Sequence, residues 1–244
     1  MSAGEKEEEC APEPAWRAVC IAAAQAQALQ EGRHMWHVGE DEPLPFNYRF
    51  EHVAQVTALA LRLGDALKAD LEVVEAAGWL HDVCKEEPSH GVAGATAARI
   101  ILLQTDFPPA KIDAVADAIC KHVGLYRQDG APPLEPTEAA VLWDADKLTK
   151  LGSQAILISL STPYVHGKEM AERWRYVAEF AHNVLARTVQ SMNTKPGRQM
   201  AERRYRNMLL LLSLWAREAR EAGVDLQGEL DFEISLDYDG LSKK

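Results

Sequence analysis

Basic charge is what this chain of 244 residues is short of, since 26 Lys and Arg stand against 37 Asp and Glu for a formal net charge of −11. Nonspecific binding to nucleic acid backbones depends on clustered Lys and Arg and is disfavoured, while free nucleotides and small phosphate esters stay compatible with the balance. Cysteine is scarce too. The four present, Cys10, Cys20, Cys84 and Cys120, make no Cys-x-x-Cys pair, which suits a reduced, cytoplasmic protein. No charged-then-apolar leader and no long uncharged apolar run occur, so no membrane partner is expected. Also missing are β-α alternation, a glycine-rich phosphate loop and an internal repeat. Their absence leaves an all-α reading.

Helical periodicity governs nearly every apolar stretch. Residues 1–14 read as a disordered acidic tail, with four glutamates between Glu5 and Glu9. Residues 15–222 read as a single helical domain and residues 223–244 as a second acidic tail, in which 230–234 alternate weakly enough to suggest either a short strand or disorder. Helices are expected over 15–30, 48–68, 71–83, 90–103, 111–123 and 138–151, then through 160. Two long amphipathic helices follow at 168–192 and 196–222, for a bundle of roughly eight or nine. The segment 32–47, holding Pro43 and Pro45, reads as a loop. Its His34 and His37 have zinc-like spacing, but no Cys or carboxylate pair follows at ligand distance.

Polar residues interrupt the inward apolar rows at a few places. His52 heads the row of Val56, Leu59 and Leu63. His81 and Asp82 end the row of Val74 and Gly78, His122 ends that of Val115 and Ile119, and Asp146 shares a face with Ala139 and Leu142. A lone histidine on such a face is most often a hydrogen-bonded core residue. Here four helices deliver imidazoles and carboxylates inward, and burying two carboxylates without a cation is costly, so one shared metal accounts for all of them. The mixed donors suit manganese, iron, cobalt, nickel or zinc better than a purely hard-cation site, and choose no one ion.

The stretches Arg49-Phe50-Glu51-His52, Leu80-His81-Asp82-Val83-Cys84-Lys85, Cys120-Lys121-His122 and Asp144-Ala145-Asp146-Lys147-Leu148 resemble, in order and spacing, the motif of the HD superfamily of metal-dependent phosphohydrolases. The resemblance covers residues 45–152 as motif core, with C-terminal covering helices at 166–222. More faintly, Met192-Asn193-Thr194 through Gly197 and Ala201-Glu202-Arg203-Arg204 look like the C-terminal helices of one branch of bacterial HD hydrolases. It implies an HD-domain helical bundle in which His52, His81, Asp82 and Asp146 bind a divalent metal. Asp144 rivals Asp146, but Asp146 is followed by Lys147 and Leu148 as the family's final aspartate usually is. Two-metal members add histidines that His90 and His122 resemble, so one ion or two are both open, magnesium included among the candidates.

The activity so implied is hydrolysis of a phosphate ester, a nucleotide or another small phosphorylated metabolite. A metal held by these residues would activate water toward phosphorus. Asp82 is placed either to bridge two ions or to orient that water. Lys85, one turn past His81, and Arg49, one turn before His52, are placed to offset phosphate charge, with Lys147 a further basic candidate. Two alternatives stand beside this. One is a dinucleotide hydrolase of the diadenosine tetraphosphate or cyclic-dinucleotide type, although the Gly-Tyr-Pro signature of the latter is absent. The other is a metal-bearing regulatory module that binds a nucleotide without turning it over.

Overall fold

Apolar residues at three- and four-residue steps build the structure, a computed structural model that describes residues 15–228 and 230. The helices are α1 (Ala15–Trp36), α2 (Arg49–Leu67), α3 (Leu71–Leu80), α4 (His90–Leu103), α5 (Ile112–Lys121), α6 (Thr137–Leu148), α7 (Ser153–Leu160), α8 (Met170–Phe180), α9 (Ala186–Gln190) and α10 (Lys195–Glu221). No strand occurs among the described residues. Both expected acidic tails, and the weak alternation within the second, fall outside those residues apart from a few positions after Ala222.

The ends of these helices are marked by local chemistry. Asp70 caps α3 by accepting from the amides of Glu72 at 3.1 Å and Val73 at 3.4 Å, which satisfies donors that have no partner within the helix. Thr194 caps α10 through Gly197 at 3.0 Å, with Pro196 in the first turn. Glu169 and Glu172 form a reciprocal capping box at the start of α8.

At the centre lies α6. Every residue from Ala139 to Leu148 is buried, the signature of a helix surrounded on all sides. Helices α2, α3 and α5 pack against it, α4 lies on α5, and α1 lies on α2 and α3. From the C-terminal part α10 also reaches α6. The expected covering role of that region is therefore met by direct contact with the central helix.

Some boundaries differ from the sequence reading. Helix α1 runs on to Trp36 instead of ending at Gln30, because Gly32 is buried with its open side against Leu44 and Asn47. Helix α3 ends at Leu80, and residues 81–86 form turns with amides reaching back three residues, Val83 to Leu80 and Lys85 to Asp82. His81 and Asp82 thus stand just past a helix end. The expected helix over 168–192 is α8 and α9 joined by a five-residue π turn, Ala181–Leu185.

Two glycines set the closest approaches. A Cβ on Gly78 would lie 2.9 Å from the Thr57 Cα, so α3 can touch α2 only with glycine there. A Cβ on Gly91 would meet the Cys120 carbonyl oxygen at 2.9 Å, which ties the start of α4 to the end of α5. These contacts bring His81 toward His52 and His90 toward His122.

Candidate metal centre

Four imidazoles line up through these contacts. Ring centroids of His52 and His81 are 5.5 Å apart, those of His81 and His122 5.2 Å, and those of His90 and His122 5.2 Å. Asp82 lies among them. Its Oδ2 is 3.5 Å from His81 Nε2 and 3.6 Å from His52 Nε2, whereas its Oδ1 is 3.4 Å from His122 Nε2. Two compact groups of possible ligands result, His52 with His81 and Asp82, and Asp82 with His90 and His122. Asp82 belongs to both. Asp146 joins at the His52 end, its Oδ1 3.4 Å from His52 Nε2.

Each of three rings is held by its other nitrogen. His81 Nδ1 is 2.8 Å from the Gly78 carbonyl and His122 Nδ1 is 2.5 Å from that of Ile119. Both histidines are the first residue past a helix, where carbonyls of the last turn keep a free lone pair; that of Ile119 also accepts from the His122 amide at 3.4 Å. In both cases the imidazole N–H donates to the carbonyl three residues back, which fixes the tautomer. His52 is held differently. Its Nδ1 is 3.1 Å from Thr149 Oγ1, whose single proton goes to the Asp146 carbonyl at 2.6 Å, so the ring must donate to the hydroxyl.

In all three cases the lone pair is left on Nε2. These Nε2 atoms are buried and have no hydrogen-bond partner among the described residues. Buried polar atoms are rarely left so. Bare imidazole nitrogens converging with carboxylates are the donors a divalent cation takes, and a second hydrogen bond on each ring is the usual support of a metal-ligating histidine. The residues present therefore fit such an ion.

Electrostatics agree with this arrangement. Burial pushes His52 down to about 3 and His81 down to about 4, so both are neutral, as ligands must be. His90 is lowered as well, by burial and then by Lys85 and His122. Burial alone would raise Asp82, but His81, His122, His52 and Lys85 around it hold its carboxyl well below the usual range. Asp146 is likewise raised by burial and lowered further by Lys147 and Lys150, which keeps it ionised.

The basic residues take distinct positions. Arg49, 5% exposed, spans from Glu31 at 2.8 Å to Asp82 Oδ2 at 2.9 Å. Lys147 is buried and donates to Asp146 and, at 2.8 Å, to the His122 carbonyl. Lys85 lies 3.0 Å from Asp82 Oδ1 with its side chain 32% exposed, so it combines contact with the cluster and access to solvent. Among the described residues the pair His34 and His37 joins no ligand group, and His34 Nδ1 contacts Glu86 at 2.6 Å on the surface. Asp144 faces away from the cluster and accepts from Asn193 and Thr194, backbone and side chain of each, at 2.7–3.0 Å.

Glu31, Thr149 and Lys150 were not singled out in the sequence. Thr149 and Lys150 stand three and four residues after Asp146, a spacing that shares its helix side and could have flagged them. Glu31 gives no such signal, because it reaches the site from α1 only through tertiary packing.

This geometry, on an all-helical frame, defines an HD-type centre, and comparison with known proteins agrees. Residues 49–151 match the HD domain family. The uncharacterized protein YpgQ of Bacillus subtilis is 30% identical over 165 residues, covering 66% of this chain and 78% of its own length. The chain belongs to the HD superfamily. Among solved structures, YpgQ in complex with ADP superposes with a TM-score of 0.57 at 20% identity over 83% of this chain and 97% of that one. An HD-superfamily hydrolase from Bacillus thuringiensis gives a TM-score of 0.58 at 19% identity, covering 84% and 98%. One from an uncultured Thermotogales bacterium gives 0.54 at 20%, covering 86% and 94%. No helix among the described residues is long and apolar enough to cross a membrane.

Proposed function

We propose that the protein is a metal-dependent phosphohydrolase acting on small phosphate esters, nucleotides among them. The observation that carries this reading is the convergence of three buried, unpartnered Nε2 atoms on Asp82. A bound divalent cation supplies Lewis-acid polarisation of a phosphoryl oxygen and of water. His52, His81, Asp82 and Asp146 would hold one ion, and His90 and His122 with Asp82 a second. The chain's own residues do the rest. Arg49 and Glu31 keep the Asp82 carboxylate in orientation, and Lys147 does the same for Asp146.

Lys85 is the group we assign to the phosphate. Its ammonium is near Asp82 yet open to solvent, so it can meet charge that grows on phosphoryl oxygens. The bound ADP of YpgQ, a relative of similar fold, supports a nucleotide as ligand. Metal analysis of the purified protein, followed by phosphate release from a panel of esters with manganese added, tests the proposal. Wild type should carry metal and release phosphate, and Asp82→Ala should lose most of both. A metal-loaded wild type inert toward every ester would leave a nucleotide-binding module instead.

A further inference from the structure

A cavity of about 180 Å³ opens beside the cluster, with His52 and Thr149 among the residues lining it. Four aromatic rings, Tyr48, Tyr164, Tyr176 and Phe180, also line it, together with Gln55 and Lys150. The three phenols lie close enough that burial, and then Tyr164 and Tyr48, raise the pKa of Tyr176. Among the described residues, no protein group hydrogen-bonds the Gln55 amide or any of these phenols. Lys150 has its Nζ 3.9 Å from Asp146 Oδ1, so the cationic side of the cavity is the side nearest the cluster.

We infer that this cavity seats the aromatic base of a nucleotide whose phosphate is presented to the His and Asp cluster. The inference rests on the phosphohydrolase reading for the phosphate end alone. Tyr48 is already stacked on Phe46 with Arg49 over its ring, so Tyr164, Tyr176 and Phe180 are the rings left for stacking, which every base can use and which contributes about 1–3 kcal/mol per base. An amide with both donor and acceptor, flanked by unpaired phenols, suits the edge of a base. A purely aliphatic group would leave those polar atoms without partners. Ser159 and Thr162 add hydroxyls to the lining that a ribose can meet, so the aromatic rings are what would set a nucleotide apart from a base-free sugar phosphate. Lys150 would then neutralise the phosphate on its way to the metal ligands.

Calorimetric titration of the manganese-loaded protein with AMP and with ribose 5-phosphate tests this, since the two ligands differ only in the base. Wild type should bind AMP at least about tenfold more tightly. Tyr176→Ala and Tyr164→Ala should bring that ratio toward one. These rings are 41% and 63% exposed, so their loss is compatible with folding, and either variant suffices should the other fail to fold. A wild-type ratio near one, or a ratio that both variants preserve, would overturn the inference. Phosphate release from the ester panel is scored on the same samples. Release with a ratio near one sinks the base site and keeps the hydrolase; a high ratio with no release from any ester does the reverse.

Discussion

Thr149 decides which nitrogen of His52 is free. Its hydroxyl gives its proton to the Asp146 carbonyl and therefore accepts from His52 Nδ1, so Nε2 faces the cluster bare. Removing the hydroxyl while keeping the shape, as in Thr149→Val, leaves the ring free to flip or to take the other tautomer. Manganese affinity should fall roughly 10- to 100-fold, the range found when the support of a ligating histidine is lost. Thr149→Ser should restore most of it. Equal affinity in the valine variant and wild type, measured by metal titration, would show that packing alone orients His52.

At the scale of an element, α6 does two jobs because of helical geometry. Residues two apart project about 200° from one another around the axis, so Asp144 and Asp146 must face opposite ways. Asp146 meets His52, and Asp144 meets the turn that starts α10. Burial raises the Asp144 carboxyl, with the bonds from Asn193 and Thr194 pulling it back down. Asp144→Ala would strand the Asn193 and Thr194 amides and should cost about 3 kcal/mol of stability. Its metal content below the melting temperature should stay near wild type. Asp146→Ala should show the opposite pattern, and thermal melts beside metal analysis of the two variants would expose an inverted assignment.

For the whole molecule the cluster implies sensitivity to acid when metal is absent. His52 and His81 have folded pKa values of about 3 and about 4 against an ordinary 6.5. Below about pH 6.5 the unfolded chain therefore takes up protons that the folded chain refuses, and stability falls as pH drops toward 4. Asp82 and Asp146, held well below 3.8, add to the loss only at lower pH. Overall charge works the other way, since the chain approaches neutrality near its isoelectric point of about 5.2 and self-repulsion eases. A lower melting temperature for metal-free protein at pH 5 than at pH 7.5 would give the histidines' sign. A flat or rising profile would mean the cluster does not set the acid response.

Periodicity by itself determined the helical class and the inward direction of His52, His122 and Asp146, because a 3.6-residue repeat places a polar residue on a buried row whatever that row packs against. The adjacent His81 and Asp82, in order with the flanking motifs, were enough for the HD resemblance. Distances between helices are another matter. Which rows meet depends on how closely two backbones approach, and Gly78 against Thr57 and Gly91 against Cys120 settle that only once the chain is folded. The same holds for charge. Spacing in the sequence puts Lys85 and Arg49 near the phosphate, with Lys147 a further candidate, and does not single out Lys150; the direction of a long side chain does not follow from its position. Tertiary packing buries Arg49 between Glu31 and Asp82, locks Lys147 onto Asp146, and leaves Lys85 at the cluster's edge and Lys150 at the cavity. The cavity itself draws on residues from Tyr48 to Phe180, more than a hundred positions apart, so no local pattern could encode it and only the assembled bundle does.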